Sequence, residues 1–396
     1  MRILAIETSC DETGISIIET EKTTPFEEVK VLANTLLSQA SLHAEYGGIF
    51  PSLARREHSK NIIPLLVQAL TSAGLAHPLP SPRILEEKEE DTLALILKKE
   101  MRLSAMFHSD ILALETPPID AIAVTKGPGL EPALWVGINT AQALGALWNV
   151  PIIPINHMEG HIVVALLTPF TPKTYRLTPL VYPSLALLIS GGHTELVLAR
   201  GMGDYEILGQ TRDDAVGEAF DKVARMLGLP YPGGPEISKL AETAPVAKIP
   251  PYPLPRPMLK TDDFDFSFAG LKTAVLYTLK NIINPTQEDK ASIAKEFEDS
   301  VTEILITKTL NAAVEYKVKE IILGGGVTAN KKIREAFQKM VADKLPDVKL
   351  FIPARDLSTD NALMIGIAGL IRFNETANDI VAEGHLRLAE RIDVNF

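Results

Sequence analysis

RILAIETSCDETGISIIE, residues 2–19, decides how the rest of the chain is read. Two apolar runs, Arg2 to Glu7 and Gly14 to Glu19, flank Thr8 to Thr13. That turn is too rich in Asp, Ser and Thr to be core, so the segment predicts a strand–turn–strand hairpin. The same order returns in mid-chain. Leu185 to Ile189 is a short apolar run ending in Ser190-Gly191-Gly192, and Glu195 to Leu198 continues as its hairpin partner. Asp214 to Leu227 then shows helical periodicity and stops at Gly228.

Around the first hairpin, Pro51 to Ala73 and Leu134 to Leu147 carry apolar residues at helical spacing, the second behind the turn Gly127-Pro128-Gly129. Ile119 to Val124 and Ile152 to Ile155 read as strands. Around the second hairpin, Glu320 to Leu323 runs into Gly324-Gly325-Gly326, and a helix from Thr328 to Met340 follows with Asn330 in its first turn. A strand over Lys349 to Ile352 and a helix from Ser358 to Phe373 close the pattern. The element order predicts an α/β chain of two duplicated lobes around a central cleft, and it is similar to the ATPase fold of actin, hexokinase and the heat-shock chaperones. The N-terminal lobe is expected over 1–165, completed by a C-terminal helix at 362–396, and the C-terminal lobe over 166–361. Residues of about 78–118, including ILEEKEEDTLALILKKEMRLSAMF, do not fit the repeat and read as a charged helical insertion, a solvated surface excursion. PPYPLPRP, residues 250–257, is an extended loop.

The length of 396 residues, 46% hydrophobic and 22% charged, is enough for two or three domains with sizeable cores. No apolar run is long enough to span a bilayer, and the opening residues lack the basic flank and apolar run of a signal peptide, which predicts a cytoplasmic protein. The single cysteine, Cys10, excludes an internal disulfide and a Cys-rich zinc site. Any metal must therefore be held by histidine and carboxylate. A net charge of −11 has the wrong sign for gripping nucleic acid over a broad surface, so an RNA substrate would need local basic spots or a partner protein.

Asn156-His157-Met158-Glu159-Gly160-His161 places two histidines four apart, on one face of a helix and within reach of one ion. The pair alone is equally compatible with coincidence. In the zincin motif the glutamate directly follows the first histidine; Met158 stands there in this chain, which weakens a protease reading. The best candidate for a third ligand is Asp360 in Ser358-Thr359-Asp360-Asn361, although an acid at a helix start commonly serves as a cap. Three glycine turns, Ser190-Gly191-Gly192, Pro232-Gly233-Gly234-Pro235 and Gly324-Gly325-Gly326, offer backbone N–H groups for close approach of a phosphate or nucleoside. None matches the P-loop or the Rossmann fingerprint. Asp11 and Glu12 in the first turn are paired acids. Asp213, Asp214, Glu218 and Asp221 form an acidic helix face that must meet something cationic or hydrogen-bonding.

The runs IETSCDETG, LHAEYGGIFPSLARREH, GPGL, NHMEGH, LLISGGHTEL, DDAVGEAFDKVARMLGLPYPGGP, DFDFSFAGLKT, LGGGVTANKKIR and TDNALMIG, in this order, resemble the tRNA threonylcarbamoyl transferases, once called O-sialoglycoprotein endopeptidases. The resemblance covers nearly the whole chain outside the insertion. It implies transfer of threonylcarbamoyl from threonylcarbamoyl-adenylate to N6 of the adenosine beside the anticodon, in tRNAs reading codons that begin with adenosine. By motif, it makes His157, His161 and Asp360 ligands of one divalent ion, iron(II) or alternatively zinc. It makes Leu188, Ile189, Ser190, Gly191 and Gly192, with Asp221, Gly234 and Asn330, the adenylate site. Archaeal relatives carry a tyrosine at the position of Leu188 and an acid at that of Ser238; the residues here follow the bacterial type, which implies three protein ligands. Asp11 or Glu12 is the candidate acceptor of the amine proton, a role in catalysis. The expected partners are tRNA, a paralogous subunit of the same fold and a small P-loop ATPase, with Arg55, Arg56 and Lys60 as local basic spots and no membrane association. The rival readings are a metalloendopeptidase, a small-molecule kinase of the same fold, and a regulatory paralogue without a working site.

Overall fold

The computed structural model describes residues 1–21, 28–246, 248–377 and 379–389. The chain divides into two compact units, Met1–Pro179 joined by the stretch from Asp360 onward, and Leu180–Thr359.

The first unit is built on a seven-stranded sheet. Strands β1 (Arg2–Glu7), β2 (Glu12–Glu19) and β3 (Val29–Ser38) form an antiparallel meander. Then come α1 (Ala40–Ala44) and α2 (Pro51–Ser72), α3 (Glu87–Leu97) and α4 (Met101–Met106) of the insertion, β4 (Ala121–Gly127), α5 (Glu131–Trp148), β5 (Ile152–Asn156), α6 (His157–Val164) and the hairpin β6 (Leu167–Thr171) and β7 (Thr174–Leu177). The strand order is β5-β4-β1-β2-β3-β7-β6, with β4 and β5 parallel to β1. Leu4 and Ile6 pack with residues of α2 and α5. Ala5 and Ile3 lie against Gly366 and Gly369 of the last helix. Both faces of β1 are therefore covered, which is why it reads as an unbroken apolar run and not as an alternation.

The second unit holds β8 (Ser184–Ile189), β9 (Thr194–Gly201) and β10 (Asp204–Gln210), followed by α7 (Val216–Leu227), α8 (Gly233–Glu242), α9 (Ala269–Asn281), α10 (Gln287–Glu315), β11 (Glu320–Gly324), α11 (Lys331–Lys344) and β12 (Lys349–Phe351). Its order, β10-β9-β8-β11-β12, repeats the five strands β3-β2-β1-β4-β5 with the same parallel and antiparallel senses. The duplication expected from the two hairpins is thus present strand for strand. α12 (Ala362–Ile371) belongs to the first unit and is buried from Ala362 to Leu370. A Cβ on Gly369 would stand 2.5 Å from that of Ala123, so glycine is what lets α12 lie against β4.

Three boundaries differ from those expected. The first unit extends past 165 to Pro179 because β7 pairs with β3, Val29 opposite Tyr175, and so adds the hairpin to the first sheet. The C-terminal helix ends at Ile371, after which Ala377 N–H donates to Ile152 O and Glu383 N–H to Lys126 O; residues 390–396 lie outside the described residues. The insertion is no solvated excursion: Leu93, Leu97, Leu103, Phe107 and Ile111 join the core of α2 and α5, while most of its charged residues, with Leu95 and Met101, meet water. Glu100 at its centre accepts from Arg55 Nη2 at 2.6 Å and Ser59 Oγ at 2.9 Å, tying it to α2.

Candidate functional site

Helix α6 begins where the side chain of Asn156 caps it, accepting from Met158 N–H at 2.9 Å and Glu159 N–H at 3.4 Å. This cap makes His157 the first helical residue and puts His161 one turn further on, with ring centroids 4.8 Å apart and planes at 89°. Asp360 reaches the pair from the residue before another cap. Asn361, not Asp360, accepts from Met364 N–H at 3.1 Å and starts α12, so the expected capping duty of the aspartate falls to its neighbour. Asp360 Oδ1 stands 3.3 Å from His157 Nε2 and 3.1 Å from His161 Nε2, and the three donor groups lie within 4.8 Å of one another. Tetrahedral bonds of about 2.0–2.1 Å separate ligand atoms by roughly 3.3–3.4 Å, and the two aspartate–histidine distances are close to that, so the three residues could hold a divalent ion. Nδ1 of His161 is buried and has no hydrogen-bond partner among the described residues, so only Nε2 of this ring is engaged.

Behind His157, Nδ1–H donates to the fully buried Glu7 at 3.2 Å, and Ser9 Oγ lies 3.1 Å from the same nitrogen. Glu7 also accepts from Thr125 Oγ1 and from Ser9 N–H. A carboxylate on one ring nitrogen fixes the tautomer that leaves Nε2 as the ligand atom. Burial opposes both charges, yet Asp360 and Glu7 raise His157 well above the usual histidine range. Burial likewise pushes Asp360 up, but His157, with hydrogen bonds from both rings, holds it far below the usual carboxylate range. Glu7 is lowered in the same way, chiefly by His157 against its own burial.

Glu159, set between the two histidines, is bound in a fork by Arg372, with Nη2 at 2.6 Å and Nε at 2.9 Å, and Arg372 also pairs with Glu375 at 2.7 Å. The fork joins α6 to the end of α12, the two elements that flank the ligands. Neither Glu7 nor Arg372 stood out in the sequence, since their roles depend on pairings across 150 and 213 positions.

The turn bearing Asp11 and Glu12 lies in the same unit. His58 holds it: Nε2–H donates to Cys10 O at 2.9 Å and Nδ1 accepts from Thr13 Oγ1 at 2.7 Å. Burial lowers His58, which keeps it in that neutral form. Burial, then the charge of Asp11, pushes the Glu12 carboxyl up to about 10, and burial raises Asp11 as well. Both carboxyls are raised and each opposes ionisation of the other, so the pair retains a proton at neutral pH. A raised carboxyl contributes stability that is complete below the unfolded value of 4.5 and is lost as pH rises toward 10. Glu12→Gln is therefore expected to melt higher than the wild type at pH 9, the gap closing toward pH 4.5; equal differences at both ends of a thermal-unfolding series would contradict the assignment.

In the second unit the structure sorts the glycine turns. A Cβ on Gly191, Gly192 or Gly234 would meet nothing within 4 Å, so these backbones border open space. Gly325, at φ +91°, instead packs its backbone on Ile189, where a Cβ would stand 2.4 Å from the carbonyl oxygen; its glycine is a packing requirement. Leu188 and Ile189 are buried in β8, so their side chains are core, contrary to a direct side-chain role at a ligand. Ser190 Oγ accepts from Gly192 and His193 N–H at 3.3 and 3.1 Å and closes the turn. Asp221 Oδ1 accepts from Gly233 N–H at 2.6 Å, joining α7 to the start of α8. Asn330 does not lie within its helix but caps α11, accepting from Ile333 N–H at 3.0 Å, and donates to Ser238 and Glu298. The acidic face is neutralised locally: Asp214 lies between Lys222 and Lys272, each at 2.6 Å, and Asp213 accepts from Phe268 and Ala269 N–H. Among the basic candidates, Arg55 is taken by Glu100, while Arg56 and Lys60 lie 3.5 and 3.3 Å from Glu57. No helix of the described residues is long and apolar enough to cross a membrane.

The TsaD family, described as tRNA N6-adenosine threonylcarbamoyltransferase, matches residues 30–78 and 109–367, and the gap between them falls on the insertion. Proteins named tRNA N6-adenosine threonylcarbamoyltransferase are similar along almost the entire chain. That of Herminiimonas arsenicoxydans is 41% identical over 374 residues, spanning 94% of this chain and 92% of its own length. That of Chromobacterium violaceum is 41% identical, over 94% and 93%, and that of Bacillus subtilis 40% identical, over 95% and 91%. With the duplicated sheets and the His157–His161–Asp360 triad in place, these matches lead to one conclusion: the chain belongs to the tRNA N6-adenosine threonylcarbamoyltransferase family.

Proposed function

We propose that this chain transfers the threonylcarbamoyl group from threonylcarbamoyl-adenylate to N6 of the adenosine beside the anticodon, in tRNAs reading codons that begin with adenosine, with AMP as the leaving group. The convergence of His157, His161 and Asp360, in a chain of this family, carries the reading. These residues hold one divalent ion, iron(II) or alternatively zinc. When bound, it supplies a Lewis acid for the carbonyl as charge develops. The backbone of Ser190–Gly192, with Asp221, Gly234 and Asn330, binds the adenylate part of the donor. Asp11 accepts the proton released when N6 forms its new bond, and protonated Glu12 keeps Asp11 oriented. The net charge of −11 leaves tRNA affinity to a paralogous partner subunit of the same fold, with a P-loop ATPase completing the system in the cytoplasm.

The peptidase alternative loses support at Glu159. A metalloprotease needs a glutamate free to act as base, and this one is forked by Arg372. The test supplies full-length protein, with its partners, with threonylcarbamoyl-adenylate and tRNA. Modified adenosine and AMP should form in equal amounts, and Asp11→Asn should slow transfer by about 100-fold or more. Release of peptides from unfolded protein, with tRNA left unmodified, would overturn the proposal.

A further inference from the structure

Three helices of the second unit bring Glu298, Ser238 and Asn330 to one point. Glu298 of α10 is 6% exposed. Its Oε1 accepts from Ser238 Oγ at 2.6 Å and from Asn330 Nδ2 at 2.8 Å. The second Nδ2 hydrogen of Asn330 goes to Ser238 Oγ at 2.9 Å, and its Oδ1 accepts from Ile333 N–H. Both amide hydrogens of Asn330 are thus consumed by the protein, and the amide is locked. Among the described residues, Glu298 Oε2 has no hydrogen bond, and no Lys or Arg forms an ion pair with this carboxylate.

A buried carboxylate met only by neutral donors is costly unless further donors reach it. Space for such donors lies one turn of α8 before Ser238, where a Cβ on Gly234 would meet nothing within 4 Å and the Gly234 carbonyl is 3.3 Å from Ser238 Oγ. A carboxylate repels phosphate, so the ligand group it suits is an uncharged donor, and the vicinal hydroxyls of a ribose are two such donors held side by side.

We infer that Glu298 is a ribose-binding residue, taking a nucleotide hydroxyl on its outer oxygen while Oε1 holds Asn330 and Ser238 in place. This rests on the reading of the second unit as the adenylate-binding part and adds to it the residue that recognises the sugar. A carboxylate is charged, so its hydrogen bond to a hydroxyl is of the stronger kind and its loss weakens binding about tenfold or more.

The experiment is calorimetric titration of the full-length protein with AMP, 2′-deoxy-AMP and 3′-deoxy-AMP, for the wild type, Glu298→Gln and Glu298→Ala. The wild type should favour AMP over at least one deoxy analogue by about tenfold, and both variants should bring that ratio close to one. A wild type that binds AMP but does not distinguish the analogues would overturn the inference and leave the adenylate reading standing. So would variants that weaken all three nucleotides equally, the signature of a structural role. Discrimination between AMP and purine riboside monophosphate that vanishes in Glu298→Gln would place the carboxylate at the base and also overturn it. No AMP binding by the wild type would remove the adenylate reading and the inference together. The deoxy arms use the unaltered protein, so the outcome does not depend on the alanine variant folding.

Discussion

Alanine in place of His161 is expected to abolish tight binding of a divalent ion and to slow threonylcarbamoyl transfer at least about 100-fold. Loss of a group that merely orients a ligand costs roughly 10–100-fold, so a ligand itself should cost no less. His161 is the more informative of the two histidines to remove. Its Nδ1 has no partner among the described residues, so the change breaks no hydrogen bond behind the ring, whereas His157→Ala would also take away one of the donors to the buried Glu7. Bound metal per chain after gel filtration, read beside single-turnover transfer, checks both parts. Full metal occupancy in His161→Ala would contradict the ligand assignment. The pH profile carries a second mark. Burial lowers His157, but Asp360 and Glu7 outweigh it and raise the ring well above 6.5. A proton therefore competes with the ion to a higher pH than at an ordinary histidine, and metal retention should begin to fall while the solution is still near neutral.

Arg372→Ala is expected to destabilise the first unit by about 3–5 kcal/mol, because it takes both hydrogen bonds of the fork and their positive charge away from Glu159, which is 1% exposed. The double replacement Arg372→Met with Glu159→Met should recover most of that loss, since removing a buried pair together costs far less than removing one partner. Urea unfolding followed at Trp135 and Trp148 on α5, within the same unit, reads the effect. If the single variant unfolded with the wild type, the fork would have no part in holding α6 to α12.

Much of the architecture was legible because hairpins and short helices leave local signatures. The polar turn at Thr8 to Thr13 and the stop at Ser190-Gly191-Gly192 bracket strands whose apolar runs are unbroken, and both prove to be first hairpins of five-strand cores. Helix α10 escaped notice for the opposite reason: Ala291, Phe297, Ile304, Lys308 and Thr309 are all buried, so no single apolar stripe marks it. The insertion misled because EKEED advertises solvent while Leu93 and Leu97, at i and i+4, carry the buried face.

The candidate site divides along the same line. Spacing alone brings His157 and His161 together, and Asp360 was reached as a carboxylate at a helix start. Glu7, Arg372 and Glu298 could not be reached, since each acts through a partner far along the chain. The three glycine turns looked alike in sequence; only the neighbours of each Cβ position separate Gly191, Gly192 and Gly234, which border open space, from Gly325, which does not.

Because the chain leaves the first unit at Pro179 and returns at Asp360, 199 positions separate His161 from the carboxylate beside it. At translation rates of roughly 5–20 residues per second, the histidines wait about 10–40 seconds on the ribosome before their third companion is made. The whole of Leu180–Thr359 is synthesised in that interval. Assembly of the complete triad is thereby a late event of biogenesis, and a nascent chain truncated before residue 360 carries only two of its three members.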